Sequence, residues 1–367
     1  MNIIVNKDIL VNAVSNVLRA VSTKSTIPAL EGILLKAQND TLNLIGYDLE
    51  LGIQTQIPAN IQKEGEIVIS AKIFFDMIRR ISNDEISIKC DEKGLIQIRG
   101  GVTEYTILGT PATEYPELPQ ITESTDIEIN QITLRSQIEQ VLFAIATTDS
   151  KPVHTGALFD IKDNSLTLVS VDGYRLAMRK EPIETAENLS FIVPGKTLSE
   201  VSKLLNDQEK NVIIKLTKKH ILFSVDNYVV VSRLLEGDFL DYNSAIPKET
   251  TTTVIVSTKE FIDSIERTSL LISDRLRSPL KIDFLENMIK LSCNTNLGKA
   301  YDEFSCEIDG SSVEMGFNNK YILDALRACD CDKVMLKING ALSPMKVVPT
   351  EGESFLFLVL PVRLKAE

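Results

Sequence analysis

The sequence predicts an α+β protein made of three similar domains in tandem. The chain has 367 residues, more than one hydrophobic core usually organises, so two or three domains are expected. Its 44% hydrophobic and 25% charged residues are typical of a folded globular protein. Most decisively, matching strand and helix patterns recur along the chain at a spacing of 124 residues.

Each copy begins with a strand, an amphipathic helix, a proline and a second strand. The matching stretches are residues 3–37, 132–161 and 254–284. Proline disfavours helical geometry in the residue before it, so each helix must end before its proline. The prolines are Pro28, Pro152 and Pro279.

Two further patterns follow in the same order. Two short strands about a polar turn are predicted at residues 42–54, 166–179 and 289–304. A strand that leads into a helix is predicted at residues 65–81, 189–205 and 313–329, and the first basic residues of these helices are Lys72, Lys196 and Lys320. A period this long encloses a domain with its own core rather than a solenoid repeat. The predicted domains are residues 1–122, 128–248 and 249–367, each with two helices packed on antiparallel strands.

Charge and composition exclude several classes of function. The 51 acidic residues exceed the 39 basic ones, and the net charge of −12 excludes a generally basic coat for nucleic acid but not a local basic surface. No apolar run reaches the roughly 18 residues of a membrane helix, and no secretory signal is visible at the N-terminus. Five cysteines without a C-x-x-C pair are typical of a reducing compartment. We therefore expect a cytoplasmic protein that contacts no membrane.

No pattern of catalytic or metal-binding residues stands out. The chain has two histidines, and it lacks the glycine motifs that bind phosphates or dinucleotides. Asp160, Asp163 and Asp172 cluster around a predicted strand pair, where carboxylates usually form turns. Cys329 and Cys331 follow a predicted helix with no histidine nearby, which argues against zinc. We expect no catalytic residue, no metal and no cofactor.

The predicted helices are more basic than the rest of the chain. They span residues 7–20, 72–82, 135–147, 196–206, 259–268 and 319–328, with twelve basic and eight acidic side chains. Their net charge of +4 leaves −16 on the remainder of the chain. Ordinary solvating charge explains such small numbers equally well. Two other classes of function stay open on these residues alone, a hydrolase with its cleft between domains and a protein scaffold.

Two motifs make the repeat recognisable: Val171-Asp172-Gly173-Tyr174-Arg175-Leu176-Ala177, and Leu360-Pro361-Val362-Arg363-Leu364 at the C-terminus. With the threefold repeat, they closely resemble the bacterial DNA polymerase III β subunits, the family of sliding clamps, over the whole chain. The resemblance implies three DNA-clamp domains and a head-to-tail homodimer, a ring of six domains with the helices inside. It also implies a non-catalytic processivity factor that encircles duplex DNA and tethers the replicative polymerase, the clamp loader and repair proteins.

This architecture would give the helix charges a physical role. Twelve helices spaced by roughly 8–10 Å form a circle about 30–40 Å across. Helix thickness reduces the opening to roughly 20–30 Å, which is enough for a duplex and some water. A weakly positive lining attracts phosphates without reading bases, so it permits sliding.

The resemblance further implies a pocket between the second and third domains in which short linear motifs of partners dock. Aliphatic walls, a glycine and two rim arginines suit an extended peptide that offers acidic or carbonyl groups. His154 stands where the family usually has an aliphatic residue, and Ser244 stands where arginine is common. The matching positions are His154, Val171, Gly173, Tyr174, Arg175, Leu176, Leu240, Ser244, Ala245, Asn318, Tyr321, Leu358, Leu360, Pro361, Val362 and Arg363.

For DNA, the resemblance points to the loop of Lys24 and to the equivalent loop at residues 148–152. Asp149 in that loop is not among the expected DNA-binding residues, because its negative charge would be repelled by a phosphate. With the cations of the helices, the expected DNA-binding residues are Lys24, Arg79, Arg80, Lys151, Lys196 and Lys203. For the dimer, Tyr105 should meet Leu271 and Ile272, since contact between aromatic and aliphatic side chains suits a head-to-tail interface.

Overall fold

The computed structural model of the chain describes residues 1–121, 123–148, 151–185, 187–273 and 278–364. The chain divides into two compact units. Unit 1 comprises Met1–Ile132 and Ser199–Leu234, and unit 2 comprises Thr133–Leu198 and Leu235–Glu367. The middle third of the chain therefore contributes to both units, whereas the first third belongs to unit 1 and the last third to unit 2.

Short strands make up most of the described residues. In chain order they are β1 (Asn2–Asn6), β2 (Gly32–Gln38), β3 (Thr41–Tyr47), β4 (Leu51–Pro58), β5 (Asn60–Lys63), β6 (Gly65–Ser70), β7 (Glu85–Cys90), β8 (Leu95–Gly100), β9 (Thr103–Leu108), β10 (Thr125–Asn130), β11 (Gly156–Lys162), β12 (Ser165–Val171), β13 (Arg175–Pro182), β14 (Leu189–Pro194), β15 (Asn211–Leu216), β16 (His220–Val225), β17 (Tyr228–Arg233), β18 (Thr252–Ser257), β19 (Leu280–Leu285), β20 (Met288–Thr295), β21 (Gly298–Ser305), β22 (Glu307–Gly310), β23 (Val313–Phe317), β24 (Lys333–Ile338), β25 (Met345–Pro349) and β26 (Phe355–Val359). The α-helices are α1 (Lys7–Val17), α2 (Ala71–Arg80), α3 (Gln131–Leu142), α4 (Gly195–Leu204), α5 (Tyr242–Ala245), α6 (Thr258–Thr268) and α7 (Asn319–Arg327).

The elements repeat in three sets, as the sequence predicts. The sets are β1–β9 with α1 and α2, β10–β17 with α3 and α4, and β18–β26 with α6 and α7. The predicted bounds of one helix are wrong, because α3 begins at Gln131 rather than at residue 135 and ends at Leu142. After it, the amides of Ala144 and Ile145 bond three residues back, which tightens the chain out of the α-helix. The α-helices contain the predicted charged residues except Arg19, which lies in the 3₁₀ turn Leu18–Ala20 directly after α1. Their net charge is therefore +3, and it is +4 when this turn is counted with α1.

Neighbouring copies join their sheets edge to edge. In unit 1 the strand order β10-β15-β16-β17-β4-β3-β2-β6 places four strands of the second copy beside four of the first. In unit 2 the order β14-β11-β12-β13-β26-β25-β24-β18-β22 joins the second and third copies in the same way. The junctions are the antiparallel pairs β17–β4 and β13–β26. The last strand of a copy therefore pairs with the fourth strand of the copy before it.

Two sheets lack such a junction. They are the sheet β5-β1-β7-β8-β9 of unit 1 and the sheet β21-β20-β19-β23 of unit 2. Here β9 is the last strand of the first copy and β21 is the fourth strand of the third copy, and both lie at sheet edges. Later residues cover the edges of β6, β14 and β23 through single bridges: Val68–Thr110, Ile192–Leu235 and Gly316–Val362. In the described part of the chain, β9 and β21 are thus the positions at which the junction strand of a neighbouring copy is missing, and their outer backbone donors and acceptors stay available for pairing. Strands β5, β10 and β22 are sheet edges as well, but they are not junction positions of the repeat.

The first helix of each copy lies very close to the sheet beneath it. A Cβ at Gly46 on β3 would lie 2.4 Å from the carbonyl oxygen of Val17, at the end of α1. In the second copy the equivalent residues are Ser170 and Val141, and there the Ser170 hydroxyl donates a hydrogen bond to the Val141 carbonyl at 2.5 Å. The first copy therefore requires glycine where the second has room for a buried serine.

Replacing Gly46 by alanine should lower the free energy of unfolding by about 1–3 kcal/mol, because the new Cβ overlaps the backbone of α1. Ser170→Ala is the matched control, since it keeps a Cβ and loses one hydrogen bond, at a cost of about 1 kcal/mol. Urea unfolding of both variants measures the difference. Native stability of Gly46→Ala would mean that α1 can move off β3 at little cost.

Candidate functional site

The candidate groove on unit 2 has a floor made of one row of side chains across the sheet. Val171 of β12 pairs with Leu176 of β13, which pairs in turn with Leu358 of β26. Residues directly opposite each other on neighbouring strands share a face of the sheet, so the three side chains lie side by side. They are buried and belong to one apolar cluster with Val153 and Leu158. The floor thus forms where the second copy meets the third.

A tight turn opens one end of the groove. The Asp172 carboxylate accepts the amide protons of Tyr174 at 2.9 Å and of Arg175 at 3.0 Å. Gly173, between them, has a φ of +86°, in the left-handed region that favours glycine. Asp48 makes the same turn in the first copy, but there Leu49 adopts a φ of +77°. The second copy therefore has no side chain at a position where the first has an exposed leucine.

Arg175 is paired within the protein by two carboxylates. Its Nε bonds Asp172 at 2.9 Å, its Nη1 bonds Asp324 of α7 at 2.5 Å, and its side chain is only 12% exposed. The guanidinium also lies over the rings of Tyr321, 4.6 Å from the centroid, and Phe143, 5.4 Å away. The sequence suggests a rim arginine for acidic ligands, whereas the structure shows a cation that ties α7 to the turn of Asp172. Arg363 is exposed and remains available at the rim.

The C-terminal segment forms one side of the groove. The amide of Leu360 donates to the carbonyl of Tyr174 at 2.9 Å, and the amide of Val362 donates to the carbonyl of Gly316 at 2.8 Å. These bonds leave the side chain of Leu360 38% exposed and that of Val362 44% exposed. Tyr174, 60% exposed, stacks on Tyr321 with 5.8 Å between the ring centroids. Apolar surface is therefore presented to solvent above a buried apolar floor.

The other side is formed by residues 239–247, which we call the wall segment. Phe239, Leu240, Tyr242 and Ile246 are half-buried against the cluster of the floor. The short helix α5 begins after Asp241, whose carboxylate accepts the amide proton of Asn243. Ser244 and Ala245 on α5 are exposed. Sequence reasoning missed Phe239 and Tyr242 as groove residues, although the matching motifs around Tyr115 and Tyr242 at the ends of two copies are a signal for the tyrosine.

The other sequence-predicted pocket residues also belong to unit 2. His154 lies in the 3₁₀ turn Pro152–Thr155, with its ring edge-on to Phe239 at a centroid distance of 5.9 Å. The side-chain oxygen of Asn318 caps α7 by accepting the amide proton of Lys320 at 3.0 Å. The hydroxyl of Ser244 donates to the carbonyl of Asp241. A serine bonded to its own helix leaves the wall without the positive charge that an arginine would bring.

The equivalent position in unit 1 is filled. A Cβ at Gly52, which corresponds to Leu176, would lie 2.4 Å from a methyl carbon of Leu118. Leu118 lies in the segment after β9, at the end of the first copy, and packs against the buried cluster that contains Tyr47 and Tyr115. The first copy thus covers its own floor with Leu118, and the described residues of unit 1 form no counterpart of the candidate groove.

All six cations predicted to bind DNA are exposed. Arg79 and Lys203 form ion pairs with Asp76 and Glu200 one helical turn away, each at 2.8 Å. Lys24 and Arg80 make no ion pair within the described part of the chain. Asp149 lies outside the described residues. The six are Lys24, Arg79, Arg80 and Lys203 in unit 1, and Lys151 and Lys196 in unit 2.

The predicted dimer residues lie at the two open sheet edges. Tyr105 is half-buried on β9, the edge strand of unit 1. Leu271 and Ile272 are half-buried just after α6 in unit 2. A Cβ at Gly298, at the start of the edge strand β21, would lie 3.7 Å from Leu271. Each unit therefore combines an open strand edge with partly exposed apolar side chains.

Acidic residues in unit 2 serve structure in the described region. Asp163 and Asp172 form turns, as the sequence predicts, but Asp160 lies inside β11 and is buried. Among the described residues, no group of three or more His, Cys, Asp or Glu side chains could hold a metal ion. No helix in the described ranges is long and apolar enough to cross a membrane.

Sequence profiles of the DNA polymerase III beta subunit match the chain throughout: its N-terminal domain over residues 1–119, its central domain over 128–241 and its C-terminal domain over 243–363. The Beta sliding clamp of Bacillus subtilis (strain 168) is 34% identical over 376 residues, which cover 99% of this chain and all of the relative. That of Halalkalibacterium halodurans is 33% identical over 378 residues, with the same coverage.

Solved structures agree. The DNA polymerase sliding clamp of Bacillus subtilis matches all of this chain with a TM-score of 0.96 and 33% identity, over its full length. A putative DNA polymerase III beta subunit from Eubacterium rectale matches 99% of the chain, and is itself covered completely, with a TM-score of 0.94 and 32% identity. Fold and sequence together define a chain of three clamp domains. It belongs to the DNA polymerase III beta subunit family, the beta sliding clamps.

Replacing Arg175 by methionine should lower the free energy of unfolding by about 2–4 kcal/mol, because Asp172 and Asp324 lose their shared cation. Arg175→Lys should restore little of the lost free energy of unfolding, since one ammonium cannot reproduce the guanidinium geometry. Arg363→Met, at an exposed site, is the control and should unfold like the native chain. Equal unfolding midpoints for Arg175→Met and Arg363→Met would contradict a structural role for Arg175.

Proposed function

We propose that the chain is a DNA sliding clamp, a non-catalytic processivity factor of a replicative polymerase in the cytoplasm. Two copies would close head to tail into a ring around duplex DNA, without base specificity. The polymerase, the clamp loader and repair proteins would dock through short linear motifs in the groove of unit 2. The proposed domains are residues 1–122, 128–248 and 249–367. The observation that carries the proposal is the pair of open strand edges, β9 and β21, since every other junction of the repeat is closed within the chain.

The repeat predicts how two copies would pair. The strand pairings make Thr103 of β9 equivalent to Tyr228 of β17, and Asp302 of β21 equivalent to Thr55 of β4. Because Tyr228 pairs with Thr55, Thr103 should pair with Asp302 of the partner copy. By the same register, Glu104 should lie opposite Tyr301. A continuous nine-stranded sheet would result, with Tyr105 carried toward Leu271 and Ile272.

Tyr105→Asp combined with Ile272→Asp should give monomers, because each change places an unpaired charge in the interface. Light scattering at micromolar concentration measures the mass, and Ile213→Asp, at an exposed site on neither open edge, is the control. Independently, a chain with Glu104→Cys and Tyr301→Cys should form disulfide-linked dimers under mild oxidation, whereas either single variant should not. A double aspartate variant that stays dimeric would remove these residues from the interface.

For DNA, the proposal rests on exposed cations carried by helices and their adjoining loops on an acidic chain. Side chains such as Lys24 and Arg80 can meet phosphates without reading bases. A chain held by ring closure does not need high affinity, and weak phosphate contacts let it slide. The expected contacts are Lys24, Arg79, Arg80, Lys151, Lys196 and Lys203.

Replacing Lys24, Arg79, Arg80 and Lys196 by alanine should weaken DNA binding at low salt. The slope of log affinity against log salt should fall by about one for each phosphate that the variant no longer binds. The matched control removes four exposed lysines outside the helices: Lys89, Lys93, Lys218 and Lys219. Equal losses of affinity in the two quadruple variants would show that only total charge matters. Retention on circular but not linearised DNA after loading separately tests encirclement.

For partner binding, the proposed groove residues are those of the floor, the wall segment and the tail. Leu358 and Leu176 supply a buried surface, while Tyr174, Leu360 and Val362 are exposed enough to be covered by a ligand. Because Leu118 fills the equivalent place in unit 1, one peptide should bind per chain.

We expect Leu176→Ala, or removal of residues from Leu360 onward, to reduce the binding free energy of a polymerase-derived peptide by about 1–4 kcal/mol. The peptide carries a glutamine and a Leu-Phe pair. Calorimetry gives the affinity and stoichiometry, and light scattering should show that the dimer survives. Leu49→Ala, at the equivalent turn of the first copy, is the control; Leu44 is unsuitable because it is fully buried. Undiminished binding in both groove variants would place the partner site elsewhere.

A further inference from the structure

Two polar contacts hold the wall segment from opposite sides. On one side, Lys346 of β25 donates from its ammonium to the carbonyl oxygen of Pro247 at 2.8 Å. Lys346 pairs with Leu358 across the strands, so it extends the row of side chains that makes the groove floor. Although it is charged, it is only 7% exposed. The third copy thus holds the end of the wall segment with a buried cation.

On the other side, the phenol of Tyr242 donates to the Asp160 carboxylate at 2.8 Å. Asp160 lies on β11, is 4% exposed and has the ammonium of Lys162 3.0 Å from its second oxygen. Burial, together with the hydrogen bond to Asp160, raises the pKa of Tyr242 to about 12, so the phenol keeps its proton at neutral pH. The second copy thus holds the start of α5 with a buried carboxylate.

Both contacts penalise displacement of the wall segment. If Pro247 moved away, the Lys346 ammonium would lose the acceptor that satisfies it while still largely buried. If Tyr242 moved away, the Asp160 carboxylate, which is also buried, would lose a hydrogen bond. Each loss costs free energy only when the wall segment leaves the groove floor. The seated position is therefore favoured before any ligand arrives.

The first copy lacks both contacts. Tyr115, the counterpart of Tyr242, donates only to a backbone carbonyl, that of Ile45 at 3.2 Å. Lys36 stands at the position of Asp160, and the strand register places Leu222 at the position of Lys346. The buried charges occur at the junction that has an open groove and are missing where Leu118 fills the equivalent place. Because only the junction of unit 2 has an open groove, only there does the wall segment need to be held in place.

We propose that Lys346 and Asp160 are positioning residues of the groove, which keep the wall segment in the binding position so that partner peptides meet a preformed site. This inference rests on the proposed peptide-binding function of the groove. A groove that is already ordered binds without the entropy cost of ordering a loop. Without these two hydrogen bonds, only the fraction of molecules with a seated wall binds, and the apparent affinity falls in proportion.

The test uses the full-length protein, the polymerase-derived peptide and two variants that leave Val171, Leu176 and Leu358 unchanged. Lys346→Met and Tyr242→Phe should each weaken binding about three- to tenfold, the size of one lost hydrogen bond. Calorimetry should show the loss in the entropy of binding, and hydrogen exchange at the amides of residues 242–248 should speed up in the free protein. Lys346→Arg keeps a cationic donor and should rescue binding. Lys337→Met, the neighbouring lysine on β24, is the control and should bind like the native chain.

The outcomes separate this inference from the function on which it rests. If the native chain binds no peptide, the groove function fails and this inference fails with it. If Leu176→Ala lowers the affinity for the peptide but Lys346→Met and Tyr242→Phe do not, the groove function stands and the positioning role is wrong. The positioning role is also wrong if exchange rises throughout unit 2 rather than at residues 242–248, because that result indicates general destabilisation.

Discussion

Edge pairing between copies is the interaction on which the rest of the structure depends. Each copy ends in a strand whose backbone groups need a partner, and that partner is the fourth strand of the preceding copy. The pairs β17–β4 and β13–β26 satisfy this rule within the chain. In the described part of the chain, β9 and β21 have no such partner and lie at sheet edges. The proposed head-to-tail closure of two chains would use the same kind of backbone hydrogen bonds that join the copies within one chain.

The candidate groove is a product of one of these junctions. Pairing of β13 with β26 places Leu176 beside Leu358, two residues more than 180 positions apart in the chain. The same event occurs between β17 and β4, but Gly52 replaces the leucine there and Leu118 packs over it. One repeated fold therefore yields a covered junction and an open one, and the difference lies in the segments that follow the first and second copies.

Charge in this protein has two distinct roles. The exposed cations of the helices and adjoining loops are candidates for weak, exchangeable contacts with phosphates, and most lie where solvent screens them. The buried charges near the groove, Arg175, Asp160 and Lys346, instead hold parts of the protein together. Arg175 shows how easily the two are confused, because its motif by itself predicts an arginine at the rim. Its guanidinium is occupied by Asp172 and Asp324, and its exposure is small.

The sequence by itself determined the threefold repeat and the positions of the helices other than α3, and it supplied the motif residues that we propose for the groove. These follow from local periodicity, from prolines that end helices, and from motifs that can be interpreted because they resemble those of a known family. The tertiary structure alone decided which junction stays open, that Arg175 is paired internally, and that Lys346 and Asp160 hold the wall segment. The physical reason is that such contacts join residues far apart in the chain, whose distances are set by strand register. The local sequence around Lys346 or Leu118 does not predict which residue each of them contacts on another strand or segment.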